Sequence, residues 1–408
     1  MKKYNLIIAS AVLVIAACSK NELRSDLQGE PIEIGFSTFN EKITRAGAEN
    51  SGIEEKHTLS THHTTFKVWG YKTVSGTPSP VFGESNGAGT QVIWNGTSSL
   101  WEYSPLRFWD KSATNYKFFA AAPSDYSWTF ANDIIKLSAF SVNGSSIAPS
   151  SSIDADADMG VKDIMISEDA TVLPANYTSS KVQLNFIHLL TRLNIGVKKA
   201  SSLDSYYVKL KYIKVFNLVD GGNFDETTAA VEGGSIARWS ENNSISSNSK
   251  AGYGYSTDTE VKNTYNYVYQ SLFIPQKVEY VGNVPLNGTG LGNESKPYLK
   301  ISYEFYSGNK YNQATIDAAQ EGDDAYGKTT NDFIESSLSL VDSYTYSYNL
   351  ADLFNGNGAN KNNDVQFNEG WMNTLMMTID PVAIEFDANV YEWKPTGDVT
   401  VNIPDIND

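Results

Sequence analysis

The sequence predicts an all-β protein of sandwich type with long loops. Three observations carry this expectation. Aromatic residues are abundant (24 Tyr, 18 Phe and 8 Trp in 408 residues), and Ser, Thr, Asn and Gly fill the gaps between them. Such residues suit pleated, half-buried surfaces and the polar turns that join them. Apolar side chains recur at every second position in one segment after another, the period of a strand with one buried face. Long amphipathic helix patterns are weak, so numerous strands stand without interleaved helices, which favours sandwiches over a βαβ sheet.

The elements follow in order. Pro31–Thr38 alternates with Ile32, Ile34 and Phe36 on one face, and Thr65–Thr73 alternates in the same way. Tyr116–Ala122 is an apolar run closed by Pro123. Val182, Leu184 and Phe186 alternate, and after a polar break the pattern resumes at Leu193, Ile195 and Val197. Tyr206–Val215 reads as a strand or a bent pair, followed by Tyr265–Pro275, Tyr298–Tyr306, Thr345–Leu350, Leu375–Ile379, Ala383–Trp393 and Val399–Ile403. Short helices are expected at Tyr311–Ala319 and Asp332–Leu340. Turn chemistry falls at Asn95-Gly96, Asp220-Gly221-Gly222, Asn287-Gly288 and Asn355-Gly356.

The N-terminus carries an export signal. Lys2 and Lys3 precede an apolar run from Leu6 to Ala17, about 18 Å as a helix and too short to cross a hydrocarbon core of roughly 30 Å. The run ends Ile15-Ala16-Ala17-Cys18, small residues directly before a cysteine, which is the pattern of a bacterial lipoprotein whose thiol is acylated. Cys18 is the single cysteine, so neither a disulfide nor a cysteine-based metal site can form. Residues 1–17 are therefore expected to be a lipoprotein signal peptide. The chain length suggests two or three domains. Loop-like sequence up to Tyr177 puts the boundary near 180, giving 46–180 and 181–408.

The net charge is −16, and beyond Arg45 there are 25 basic against 42 acidic side chains. Such a surface repels nucleic acid and anionic headgroups, so neither is expected as a partner. No cofactor or metal is expected. Asp154, Asp156 and Asp158 begin like a calcium loop, yet Met159 and Met165 stand where the EF-hand needs Gly and Glu; loose calcium binding by the loop stays open. His57, His62 and His63 have no carboxylate or cysteine at ligand spacing, and His188 reads as a hydrogen-bonded core histidine. Gly288-Thr289-Gly290-Leu291-Gly292 lacks the Lys-Ser/Thr of a phosphate loop, and there is no G-x-S-x-G elbow. Trp69 and Trp109 read as core.

Several stretches, in order along nearly the whole chain, resemble the fimbrillins of Bacteroides-type bacteria, lipoprotein subunits of type V pili. They are the lipobox at Cys18, Ile32–Ser37 leading to Thr44-Arg45-Ala46, Phe66–Tyr71, Pro105–Trp109, Tyr116–Pro123 and Val161–Met165. Leu184–Leu190, Phe273–Gln276 and Val390–Trp393 complete the set.

The resemblance implies two transthyretin-like, Greek-key sandwiches in tandem and no enzymatic activity. It implies a precursor lipidated at Cys18, carried to the outer membrane, and cut by an arginine-specific protease between Arg45 and Ala46. Residues 18–45 are then a propeptide containing a removable strand, displaced through Ile32, Ile34 and Phe36. Subunits would join by donor-strand exchange into an adhesive surface fimbria, with Val399, Val401 and Ile403 as the candidate donor strand. The partners implied are other fimbrial subunits and a host or bacterial receptor. Ser19-Lys20-Asn21-Glu22 departs from the acidic run that follows the cysteine in many surface lipoproteins of these bacteria. Two other readings stay open: a monomeric surface lipoprotein that binds glycans, and a glycan hydrolase with paired carboxylates.

Overall fold

The computed structural model describes residues 31–39, 63–83, 87–142, 163–177, 181–219, 221–227, 238–241, 253–255, 258–280, 296–355, 363–380 and 384–392. The first strands are β1 (Gly35–Phe39), β2 (Thr65–Val74), β3 (Thr77–Phe82), β4 (Thr90–Asn95) and β5 (Leu100–Glu102). Next come β6 (Asn115–Ala122), β7 (Trp128–Ala131), β8 (Ile134–Ser141), β9 (Met165–Ser167), β10 (Ala170–Val172) and β11 (Lys181–His188). The chain continues through β12 (Thr191–Lys199), β13 (Tyr207–Phe216), β14 (Gly221–Asp225), β15 (Trp239–Glu241), β16 (Tyr253–Tyr255) and β17 (Thr259–Val261). Then follow β18 (Asn266–Phe273), β19 (Gln276–Val278), β20 (Tyr298–Ser307) and α1 (Gln313–Ala318). Last are β21 (Ser339–Asn349), α2 (Leu350–Asn355), β22 (Val365–Phe367), β23 (Trp371–Ile379) and β24 (Ile384–Glu392). The protein is all-β.

Among the described residues, a nine-stranded sheet runs β1-β11-β9-β6-β2-β4-β5, with β10 beside β6 and β3 beside β2. Its central strands are buried on both faces. Tyr116, Phe118, Ala120 and Ala122 of β6 enter one core, while Phe119 and Ala121 enter another. That is why Tyr116–Ala122 reads as an unbroken apolar run rather than an alternating one. In β2, Phe66 and Val68 join the first core and Trp69 the other. The Trp69 ring stacks on Phe130 at 5.4 Å. Gly83 and Gly89 give it room, since a Cβ on either would sit within 2.8 Å of the indole.

A second core lies between the sheet β18-β12-β23-β24 and the sheet β16-β13-β20-β21. β13 turns Val208 and Leu210, then Ile213 and Val215, into it. The phase slips by one residue because a bulge interrupts the pairing between Leu210 and Tyr212. Of the two readings left open at Tyr206–Val215, a strand or a bent pair, the first holds: it is one bulged strand.

A third cluster ties the two halves together. The sheet β15-β14-β8-β7 joins strands from both, and Phe140, Phe224, Trp239, Leu272 and Met372 pack in one cluster with Trp69 and Phe119. The strand that opens at residue 181 is hydrogen-bonded to β1 and β9 and so belongs to the first sheet. The chain crosses to the second core at Leu189-Leu190, both fully buried in the shared cluster.

Two local expectations are corrected. Gly221 and Gly222 stand inside β14, not in a turn: a Cβ on Gly222 would lie 2.5 Å from the Ser240 carbonyl oxygen, so the strand pair needs glycine there. Asp332–Leu340 is not a helix. It holds a 3₁₀ turn at Glu335–Ser337 and enters β21 at Ser339, because Ser339 and Leu340 pair with Ser307 and Tyr306. The expected helix near residue 311 is α1, capped by the Asn312 side chain, which accepts from the Thr315 amide. His63 is buried in a loop, and His188 is buried with its Nδ1 2.8 Å from Asp163 Oδ2.

Candidate functional site

The site is the groove that holds the first strand. Alternation in Ile32-Glu33-Ile34-Gly35-Phe36-Ser37-Thr38 sends the even positions inward. Ile34, Phe36 and Thr38 are buried, and Ile32 is half-buried against the same core. β1 pairs in parallel with β11, Gly35 opposite Lys181 through Phe39 opposite Asn185. On its other side the chain following β5 runs back against it. The Ile34 amide donates to the Arg107 carbonyl at 2.9 Å, and the Trp109 amide donates to the Ile32 carbonyl at 2.9 Å. Glu33 and Phe108 face each other across an antiparallel bridge. The strand thus joins the two ends of the first sheet, β11 and the segment beyond β5.

Phe36 is the anchor. Its ring makes edge contacts with Phe66, Phe82, Tyr103 and Phe118 at centroid distances of 5.9, 5.4, 5.8 and 6.0 Å. Two polar side chains of the walls also spend their donors on the strand. The Trp101 Nε1 donates to Thr38 Oγ1 at 3.0 Å, and the Tyr103 hydroxyl donates to the Ile34 carbonyl at 2.5 Å. Burial pushes the Tyr103 phenol up to about 12, so it stays a neutral donor throughout the physiological range. Trp109 closes the far wall, stacked on Tyr177 at 5.0 Å and edge-on to Tyr116 at 4.7 Å.

This arrangement can do one thing chemically: grip an extended peptide with alternating apolar side chains. An emptied groove would present an aromatic cavity floor, the indole of Trp101, and unpaired backbone groups on β11 and on residues 107–109. Buried groups of that kind each cost on the order of 1–3 kcal/mol when left unmade.

Of the residues singled out in the sequence, Ile32, Ile34 and Phe36 come together in this groove. Cys18, Arg45, Ala46, Val399, Val401 and Ile403 lie outside the described residues, as do Asp154–Asp158, His57 and His62. Sequence reasoning missed Thr38, Trp101 and Tyr103, and the parallel sense of the β1–β11 pair. Trp109 was placed in the core, and it is buried there. Among the described residues no helix is long and apolar enough to cross a membrane.

A sandwich protein whose leading sheet is completed by a separate N-terminal strand defines the class. The chain belongs to the fimbrillin-like family, whose model matches residues 44–368. That family is fimbrial rather than enzymatic. Fimbrium subunit Fim1C of Phocaeicola vulgatus is 26% identical over 208 residues, 48% of this chain and 52% of that protein. The chain therefore spans about half the length of this curated relative. Among solved structures, a fimbrial protein from Bacteroides vulgatus aligns with 89% of this chain and 100% of its own, at 18% identity and a TM-score of 0.49. The tip fimbrial protein Mfa3 from Porphyromonas gingivalis, truncated at its C-terminus, aligns with 89% of this chain and 100% of its own, at 8% identity and a TM-score of 0.40.

Proposed function

We propose that the chain is a subunit of a cell-surface fimbria that assembles by exchanging β1 for a strand of a neighbouring subunit. The precursor is lipidated at Cys18, reaches the outer membrane, and is cut between Arg45 and Ala46 by an arginine-specific protease. Once cut, β1 is held by non-covalent contacts alone and can leave. The donor is the segment carrying Val399, Val401 and Ile403, whose period of two fits the inward positions of β1. Eight residues lie between Pro395 and Pro404, and the paired stretch Ile32–Phe39 also has eight. Prolines at both ends bound the donor, since proline cannot continue the ladder.

The observation that carries this reading is the pairing of residues 32–39, with β1 bonded to β11 on one side, Ile32 and Ile34 bonded to Trp109 and Arg107 on the other, and Ile34 and Phe36 buried. Burying three apolar side chains is worth about 1.5–3 kcal/mol each, so a three-residue donor competes with β1 on near-equal terms, and release depends on the cut. We place the domain boundary at Leu189-Leu190, where the chain leaves the first sheet.

The test is Arg45→Ala in the producing cell. Wild-type protein should begin at Ala46 and form high-mass ladders on gels run without boiling. Arg45→Ala should keep its N-terminal segment and give monomer. Ladders from Arg45→Ala would remove the assembly step, and a lipidated Cys18 on all shed wild-type molecules would remove the processing step.

A further inference from the structure

We propose that the Arg107–Phe108 peptide bond is a latent cleavage site for an arginine-specific endoprotease, closed by β1 and by whatever strand replaces it. The inference rests on the release of β1 set out above, and adds a second role for the groove: its occupancy decides whether a subunit survives the protease.

Five arginines occur in the chain, at 24, 45, 107, 192 and 238. Arg192 is fully buried, its guanidinium donating to Asn194 and Gln270 at 3.0 and 2.7 Å. Arg238 is buried and held by both carboxylate oxygens of Glu369. Neither can enter a protease cleft without unfolding of its surroundings. Arg107 stands in the irregular strap between β5 and β6, half-buried, with Leu106 and Phe108 on either side 52% and 42% exposed.

What closes this bond is backbone pairing. An endoprotease takes its substrate as an added extended strand and places the scissile carbonyl among oxyanion-binding donors. Here the Arg107 carbonyl already accepts from the Ile34 amide at 2.9 Å, and the Arg107 amide donates to the Tyr103 hydroxyl oxygen at 3.3 Å. The Trp109 amide, two residues on, is taken by Ile32. The edge a protease must read is the edge β1 occupies.

Loss of β1 removes both backbone bonds but not the anchors beyond them. Trp109 remains stacked on Tyr177, and Lys72 remains paired with Asp110 at 2.6 Å. Tyr103 keeps its edge contact with Phe82 at 5.1 Å. Ser104–Phe108 is then an arch between two fixed points, relieved of its pairing with Ile32 and Ile34 and held at the Arg107 amide by the Tyr103 hydroxyl. Hydrolysis adds one water across the Arg107–Phe108 bond, leaving a carboxylate on Arg107 and an ammonium group on Phe108. A donor strand in the groove restores the pairing and closes the bond again, so filled subunits persist and empty ones are cut.

The test is a time course of the folded full chain and its Arg45→Lys variant with an arginine-specific endoprotease, read by fragment mass, with and without excess synthetic peptide of residues 31–39. In the wild type, cleavage after Arg45 should precede cleavage after Arg107. Both the peptide and Arg45→Lys should slow the second cut by about tenfold or more, as expected where cleavage follows the open population. Equal rates at Arg107 in the wild type and Arg45→Lys would overturn the proposal, as would an intact Arg107 bond in a chain whose mass shows that residues 1–45 have gone. Should native mass measurement show the 1–45 fragment still bound after the Arg45 cut, it is strand release that has failed. Phe36→Ala in the uncut chain then decides the latent site: faster cleavage at Arg107 supports it, and an unchanged rate overturns it.

Discussion

Tyr103 gives its buried hydroxyl to the backbone carbonyl of Ile34 at 2.5 Å. A side chain from the fixed part of the first sheet thus holds the backbone of the one strand proposed to leave it. Removing only that donor separates strand retention from folding. Tyr103→Phe keeps the ring and its contacts with Phe36 and Phe82 but leaves a buried carbonyl short of a partner, a loss of about 1–3 kcal/mol. After cleavage at Arg45, the N-terminal fragment should leave roughly 5–150 times faster from Tyr103→Phe than from the wild type, measured by native mass spectrometry.

The same phenol sets an alkaline limit. Burial raises Tyr103, Tyr126 and Tyr207 to about 12, against about 10 in an unfolded chain. A folded pKa above the unfolded one means that the unfolded chain loses its proton first. The stability these groups supply is complete below pH 10 and drains away between pH 10 and 12. The midpoint of urea unfolding should hold steady with respect to these groups from pH 7 to 9 and fall from 10 to 12. Tyr103→Phe should make that fall shallower.

Phe36→Ala empties the aromatic cage. The loss of a buried phenylalanine costs about 3–5 kcal/mol, here concentrated on one strand. Amide exchange should accelerate in residues 181–185, the pairing partners of β1, while β12 and β23 in the second core stay protected. Acceleration spread evenly over both halves would mean that β1 is part of one global unfolding unit.

Arg238 and Glu369 offer the converse control. Their ion pair is buried and doubly hydrogen-bonded, and the guanidinium lies 5.0 Å from the centre of the Phe224 ring. Arg238→Ala leaves a buried carboxylate without its cation, a cost of about 3–5 kcal/mol. Denaturant unfolding should show that loss, whereas the release rate of a cleaved N-terminal fragment should not change.

How far the sequence reached depends on what each residue has to satisfy. Ile32, Ile34 and Phe36 could be assigned to one face because a strand with one buried face alternates. The break before Leu193 was legible because the chain changes core there, at Leu189-Leu190. The parallel β1–β11 pair was not, since 146 residues separate Gly35 from Lys181 and the pattern within each strand is the same for either sense. Thr38, Trp101 and Tyr103 were missed because a hydroxyl or an indole signals nothing until its acceptor is placed. Gly221-Gly222 misled because glycine serves both a turn and a crowded strand, and the Ser240 carbonyl that demands it lies on another strand. The processing residues were legible as motif alone and belong to the proposed function, not to the geometry.

The central claim is that β1 can be replaced in its groove, and one measurement reaches it most directly. The purified chain is cleaved at Arg45 and incubated with excess peptide of residues 396–403, then followed by native mass spectrometry and amide exchange. Replacement of the N-terminal fragment by one peptide per chain, with protection maintained at residues 181–185, is the result this account predicts. A fragment that stays bound while the peptide never enters, or that departs and leaves the peptide unbound, would contradict it.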